Sequence, residues 1–134
     1  MQTISSGVTV TVSSGTESGD TVLTGGTLIV VSGGSATGTT LSGGNEVISS
    51  GSVDSGATIL SGGSLNISSG GGSVSATVDA GGMLNVSSGG VASSIAVSSG
   101  GTLNVAGTVT SQVTVYASGR SEEHTSELQS HVNL

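Results

Sequence analysis

Cysteine and proline are absent from this chain, Tyr116 is its one aromatic residue, and Lys and Arg together number one. Each shortage excludes something. Without cysteine there is neither a disulfide framework nor a thiolate metal site. With 33% of residues hydrophobic and no Phe or Trp, the large side chains that fill a conventional globular core are missing. The net charge is −7 and the one cation is Arg120, so no basic cluster is present to neutralise phosphates, and nucleic-acid binding is excluded. No apolar run approaches the roughly 18 residues of a membrane span. Residues Met1 to Ser6 show neither a basic nor an apolar leader segment, so the signal peptide of a secreted parent is expected upstream.

What is present is glycine, 25 residues of it, among runs of Ser and Thr. Such a composition describes a flexible linker when the apolar residues are scattered. Here they alternate in short runs: Val8, Val10 and Val12; Leu65 and Ile67; Val113 and Val115. Alternation of β-branched residues with polar ones is the period-two signature of half-buried strands.

The strands recur. Glycine pairs at Gly25-Gly26, Gly43-Gly44, Gly62-Gly63, Gly81-Gly82 and Gly100-Gly101 follow one another at steps of 18, 19, 19 and 19 residues, and Ser6-Gly7 is a degraded earlier copy. A second turn falls in each unit at Gly15, Gly33, Gly51, Gly70 and Gly89, so a unit reads as strand, turn, strand, turn. Alignment of the units puts Leu28, Leu65, Leu84 and Leu103 in one column, and Val30, Ile48, Ile67, Val86 and Val105 in a second. Val22, Leu41, Ile59, Val78 and Val97 form a third. Equivalent residues touch when each coil lies on the previous one at a strand spacing of about 4.8 Å. The reading is an all-β fold: a parallel, right-handed β-helix (β-solenoid) with about 19 residues per coil. It spans residues 1–119, with coils starting near residues 6, 25, 43, 62, 81 and 100.

Two features break the pattern. Glu46 stands where the neighbouring units have Leu, and a local shift of register that exposes the carboxylate is expected. From Arg120 onward glycine disappears, and residues 120–134 hold three of the eight acidic residues. Residues 120–130 closely resemble the translation of a common short-read sequencing adaptor, so 120–134 are expected to be a non-native tail.

Catalytic chemistry is scarce. Both histidines, His124 and His131, lie in that tail, and residues 1–119 contain no His, Lys, Arg or Cys. A Ser-His-Asp triad, a lysine Schiff base and a thiolate nucleophile are therefore unavailable to the repeat. The remaining acids are Glu17, Asp20, Glu46, Asp54 and Asp79. Glu17 and Asp54 share a column two coils apart, roughly 9 to 10 Å on the strand spacing, near the upper limit for an inverting glycosidase. No aromatic platform or basic group accompanies them, and the acids are read as scattered surface groups. No turn carries the Gly-Gly-x-Gly-x-Asp pattern of calcium-binding solenoids. The chain is expected not to be an enzyme and to use no metal or cofactor. Asn66-Ile67-Ser68 and Asn85-Val86-Ser87 match the N-glycosylation pattern through the repeat alone.

Function must then reside in the surface. Asn66, Asn85 and Asn104 form a column between two inward aliphatic columns, so alternation turns them outward as a stacked ladder. Such a ladder either reinforces the coil by amide stacking or presents a binding strip whose weak contacts add up by repetition. An ice-binding face would need a regular Thr-x-Thr array, and Thr9-x-Thr11 is the one clean instance.

With the glycine pairs, the 19-residue period and Ser-Ser-Gly-Gly turns such as the one in the run Gly81 to Ser94 in view, residues 6–119 resemble the passenger region of AIDA-type self-associating autotransporter adhesins. The resemblance implies a right-handed β-helix on the outside of a Gram-negative cell. It also implies autoaggregation with like passengers on neighbouring cells, adhesion to host or abiotic surfaces, and biofilm formation, with O-linked heptose on repeat Ser and Thr in some members. The resemblance leads to the expectation that the signal peptide and translocator barrel lie outside this stretch. The competing expectation is a structural stalk or spacer, in a surface layer or phage fibre, without binding activity of its own.

Overall fold

The structure, a computed structural model, describes residues 1–115 together with the backbone of Arg120–Glu123 and Val132–Asn133. Its strands wind through three parallel sheets in strict rotation. Sheet A holds β1 (Thr3–Ile4), β4 (Thr21–Leu23), β7 (Thr40–Ser42), β10 (Thr58–Ile59), β13 (Thr77–Val78), β16 (Ile95–Val97) and β19 (Val113–Val115). Sheet B holds β2 (Thr9–Val12), β5 (Thr27–Val30), β8 (Asn45–Ile48), β11 (Ser64–Ile67), β14 (Met83–Val86) and β17 (Thr102–Val105). Sheet C holds β3 (Gly15–Ser18), β6 (Gly34–Thr37), β9 (Val53–Ser55), β12 (Gly72–Val74), β15 (Val91–Ser93) and β18 (Thr108–Val109). Each coil is one strand from each sheet, and about six coils stack into a parallel β-solenoid of about 19 residues per turn.

The register matches the alignment of the repeats. Leu65 lies beside Leu84 and Leu84 beside Leu103, while Ile67, Val86 and Val105 follow two residues later. In sheet A, Val22, Leu41, Ile59, Val78 and Val97 succeed one another in the same way. All these side chains are buried and form one continuous core along the axis. Each fully buried aliphatic side chain contributes about 1.5 to 3 kcal/mol. No single coil can bury its own inner face, so the contribution comes only from stacking.

A coil has three strands where the sequence reading gave two. The extra corner separates sheet C from sheet A at Gly19, Gly38, Gly56, Ser75 and Ser94, all with positive φ. It is marked by one residue instead of a glycine pair, and in two coils that residue is Ser with φ near 58°. The chain tolerates this left-handed conformation because the corner N–H continues the ladder: Gly38 donates to Ser55 O at 2.8 Å, Gly56 to Val74 O at 2.9 Å, and Ser75 to Ser93 O at 2.8 Å.

The paired glycines do two different jobs. The first of each pair turns the corner with positive φ, as Gly81 does at 79°, and its N–H donates to Gly100 O at 2.9 Å in the next coil. The second is confined by space. A Cβ at Gly82 would lie 2.5 Å from Ile59 O and 3.0 Å from the Ile59 Cγ2 of the coil beneath. Sheet spacing is thus set where backbone meets backbone.

Beyond residue 115, the backbone of β20 (Arg120–Glu123) pairs in parallel with β17, and β21 (Val132–Asn133) pairs with β19. The remainder of the expected tail, including His124 and His131, lies outside the described residues.

Two glycines in the same chain test the steric argument. Gly82→Ala is expected to lower stability by about 1 to 3 kcal/mol through overpacking against Ile59. Gly72→Ala, whose Cβ would meet nothing nearer than Val91 O at 3.8 Å, is expected to be near neutral. Thermal unfolding followed by circular dichroism separates them; equal effects would remove the close-approach explanation.

Candidate functional site

The outer face of sheet B carries the ladder. Strand alternation buries Leu84 and Val86 and turns Asn85 between them outward, where it is half-buried by its neighbours. Asn66, Asn85 and Asn104 stand in exact lateral register, one per coil. Their amides bond to one another: Asn85 Nδ2 donates to Asn66 Oδ1 at 2.9 Å, and Asn104 Nδ2 to Asn85 Oδ1 at 2.8 Å. Asn66 Nδ2 in turn donates to Asn45 Oδ1 at 2.7 Å. Asn45 is the member that the sequence reading missed. It lies across from Ser64, two residues off the column, and is reached only on the diagonal. Beyond it the outer column continues as Val47, Ile29 and Thr11, so the amide row ends there.

Each internal amide uses one N–H and one carbonyl position on its neighbours, leaving a second N–H and a second lone pair free. The amides thus bond to one another along the axis, as internal stacking requires. Sheet A offers a second row: Thr3, Thr21, Thr40, Thr58 and Thr77 stack on one another, followed by Ala96 and Thr114. Its signal was the Thr preceding four of the five buried residues of the third column, Val97 being preceded by Ala96. Thr9 and Thr11 both lie on β2, but Thr9 is followed by Thr27 and Asn45, and Thr11 by Ile29, so no Thr-x-Thr array forms.

At the corners, serines precede the positive-φ glycines and stay exposed, as at Ser32, Ser50, Ser61, Ser69, Ser88 and Ser99. They line the solenoid edges as a hydroxyl-rich border. The chemical offer of this surface is repetition: amides and hydroxyls at a spacing of about 4.8 Å along the axis.

The interior holds what sequence reasoning read differently. No register shift exposes Glu46: it pairs with Leu28 on one side and Leu65 on the other, points into the lumen and is 0% exposed. The hydrogen-bonded register of β8 leaves no room for a slip, because one residue of slip would turn Ile48 out with it. Asp54 and Asp20, read as surface acids, are likewise buried. Asp54 occupies the inward column of sheet C, two coils from half-buried Glu17 with Ala36 between. Its Oδ2 accepts from Ser73 Oγ at 3.1 Å, while its Oδ1 and both Glu46 oxygens find no hydrogen-bond partner. Asp20 accepts from Gln2 N at 2.9 Å and lies 3.5 Å from the terminal amine.

Burial pushes the Glu46 carboxyl well above its ordinary range, and the charges of Asp54 and Asp20 add to the effect. Burial also raises Asp54, to about 6, against the hydrogen bond from the Ser73 hydroxyl, which lowers it. Glu17 and Asp54 are not a hydrolytic pair opening to solvent, since Asp54 is sealed inside. Among the described residues no three His, Cys, Asp or Glu side chains are placed to hold a metal ion.

No protein-family model matches the chain, and no curated protein matches it. Among solved structures it is similar to a TibC-catalysed, hyper-glycosylated fragment of TibA, residues 55–350, with 31% identity and a TM-score of 0.73. The likeness covers 97% of this chain and 54% of that one, so the chain spans about half the length of the structure it matches.

Asn85→Ala removes two amide bonds from the middle of the ladder and is expected to cost about 1 to 2 kcal/mol. Asn104→Ala removes one such bond among the described residues and is expected to cost about half as much. Denaturant unfolding of both variants is the measurement; an Asn85→Ala chain as stable as the parent would show that the ladder adds nothing to the coil.

Proposed function

We propose that this chain is a stretch of a surface-displayed adhesin passenger that works by homotypic association, joining like passengers on neighbouring cells and adhering to host or abiotic surfaces. The observation that carries the reading is the outer face: polar rows repeated coil after coil. A contact worth a fraction of a kcal/mol becomes strong when a rigid rod presents it many times at fixed spacing. The likeness to the TibA fragment over 97% of the chain supports this reading, as does the resemblance of its repeats to AIDA-type passengers. Such a protein works outside the cell, promoting autoaggregation and biofilm growth, and needs no catalytic group.

The hyper-glycosylated state of the TibA fragment extends the proposal to modification. The exposed corner serines, with Ser61 and Ser69 among them, are the acceptors we assign, because their hydroxyls project at the solenoid edge without crossing a strand pairing. We further read residues 120–134 as foreign to the repeat.

A stalk or spacer is the second reading, and one observation favours it: the amides of the ladder bond to each other, which stiffens the rod whether or not anything docks. Cells displaying the intact passenger with Asn66→Lys, Asn85→Lys and Asn104→Lys together separate the two. Loss of settling, with the strand signal in circular dichroism retained, is expected of the adhesive ladder. Unchanged clumping would transfer the ladder to the stalk reading.

A further inference from the structure

We propose that Glu46 and Asp54 make the third coil (β7, β8 and β9) a proton-held latch: protons on these two buried carboxyls keep the lumen closed in mild acid, and their loss loosens this coil in preference to its neighbours. This goes beyond the adhesin reading and does not depend on it.

The geometry is specific to one level of the solenoid. In the column of Glu46 every other coil of sheet B from β5 to β17 has Leu, and in the column of Asp54 the neighbours are Ala36, Ser73 and Ala92. Asp20 stands in the adjoining inward column of sheet A, directly before Thr39 in the stack, and Thr40 N donates to Asp20 O at 2.8 Å. Buried Thr39, Glu46 and Asp54 thus belong to one turn of chain, with Asp20 on the turn before.

The groups that face this lumen are of one sign. Around Glu46 lie Leu28 and Leu65 from the flanking strands, Asp54 from β9 and Asp20 from the chain entering β4. Half-buried Glu17, on β3, is the next acid in the Asp54 column. No Lys, Arg or His occurs before Arg120, and the terminal amine is turned to Asp20. An ionised Glu46 would have neither a counter-ion nor a hydrogen-bond donor, and two buried negative charges would oppose each other. A protonated Glu46 removes that charge, and with it the opposition to the buried carboxyl of Asp54.

The direction of the pH effect follows. Both folded-state values are raised, that of Asp54 from 3.8 to about 6 and that of Glu46 well above its ordinary range. The folded chain then binds more protons than the unfolded chain at intermediate pH. Stability is full below about pH 4 and falls as pH rises through about 6 and beyond.

Thermal unfolding of the full chain at pH 5 and at pH 8 tests this. We expect the melting temperature to be lower at pH 8 by about 5 °C or more. Glu46→Leu, which restores the column residue, is expected to raise the pH 8 value and to remove at least half of the difference. Asp79→Asn, at a half-buried acid bonded by Ser98 Oγ at 3.2 Å, is expected to leave the difference unchanged. Should Glu46→Leu fail to fold, Glu46→Gln and Asp54→Ala provide the same comparison. Hydrogen exchange locates the effect, with residues 39–55 losing protection at pH 8 before residues 77–93. A melting temperature independent of pH, an unchanged slope in the Glu46 variants, or uniform loss of protection would each overturn the latch.

Discussion

Everything in this molecule depends on one constraint: each coil must lie on the last at the spacing of parallel strands, with equivalent residues in contact. Without Phe or Trp, the core is assembled from aliphatic side chains stacked coil on coil. Stacking makes a narrow lumen, and a narrow lumen is filled mainly by Val, Leu, Ile and Ala. The constraint acts most severely at the corners, where the backbone of one coil meets that of the next. The approach of Gly82 to the Ile59 carbonyl shows why a glycine follows the turning residue at that corner. The high glycine content that first reads as a linker is thus a packing requirement.

The same stacking that builds the core duplicates the surface. A polar residue placed once per repeat becomes a row, and a row of amides bonds to itself, as Asn45, Asn66, Asn85 and Asn104 do. The bonds that join the coils and the polar surface they present thus come from the same side chains. Rows of hydroxyls, in the Thr column of sheet A and the corner serines, are produced by the same rule. A solenoid has little need of a pocket, because a weak contact is multiplied along its length.

Glu46 shows how strongly stacking is enforced. A carboxylate in a leucine column could be accommodated by slipping the strand or by burying the acid, and the strand does not slip. Slipping would disturb two hydrogen-bonded ladders and expose Ile48, whereas burial asks one carboxyl to take up a proton. The cost is moved from the backbone to a titration, which makes stability at this coil depend on pH.

The sequence by itself determined the period, the parallel solenoid, the three aliphatic columns and the outward placement of Asn66, Asn85 and Asn104. It could do so because stacking converts a linear repeat directly into contact: residues one period apart must touch. It also showed that residues 1–119 contain no His, Lys, Arg or Cys. The third corner was hidden because it needs one residue of positive φ, and Ser75 and Ser94 carry no such mark in their residue type. Contacts off the column were hidden as well. The bond from Asn66 to Asn45 runs diagonally between strands, and the convergence of Asp20, Glu46 and Asp54 runs across the lumen. Only the tertiary structure decided these, because distance across a coil is set by where its corners fall, and no spacing along the chain encodes it.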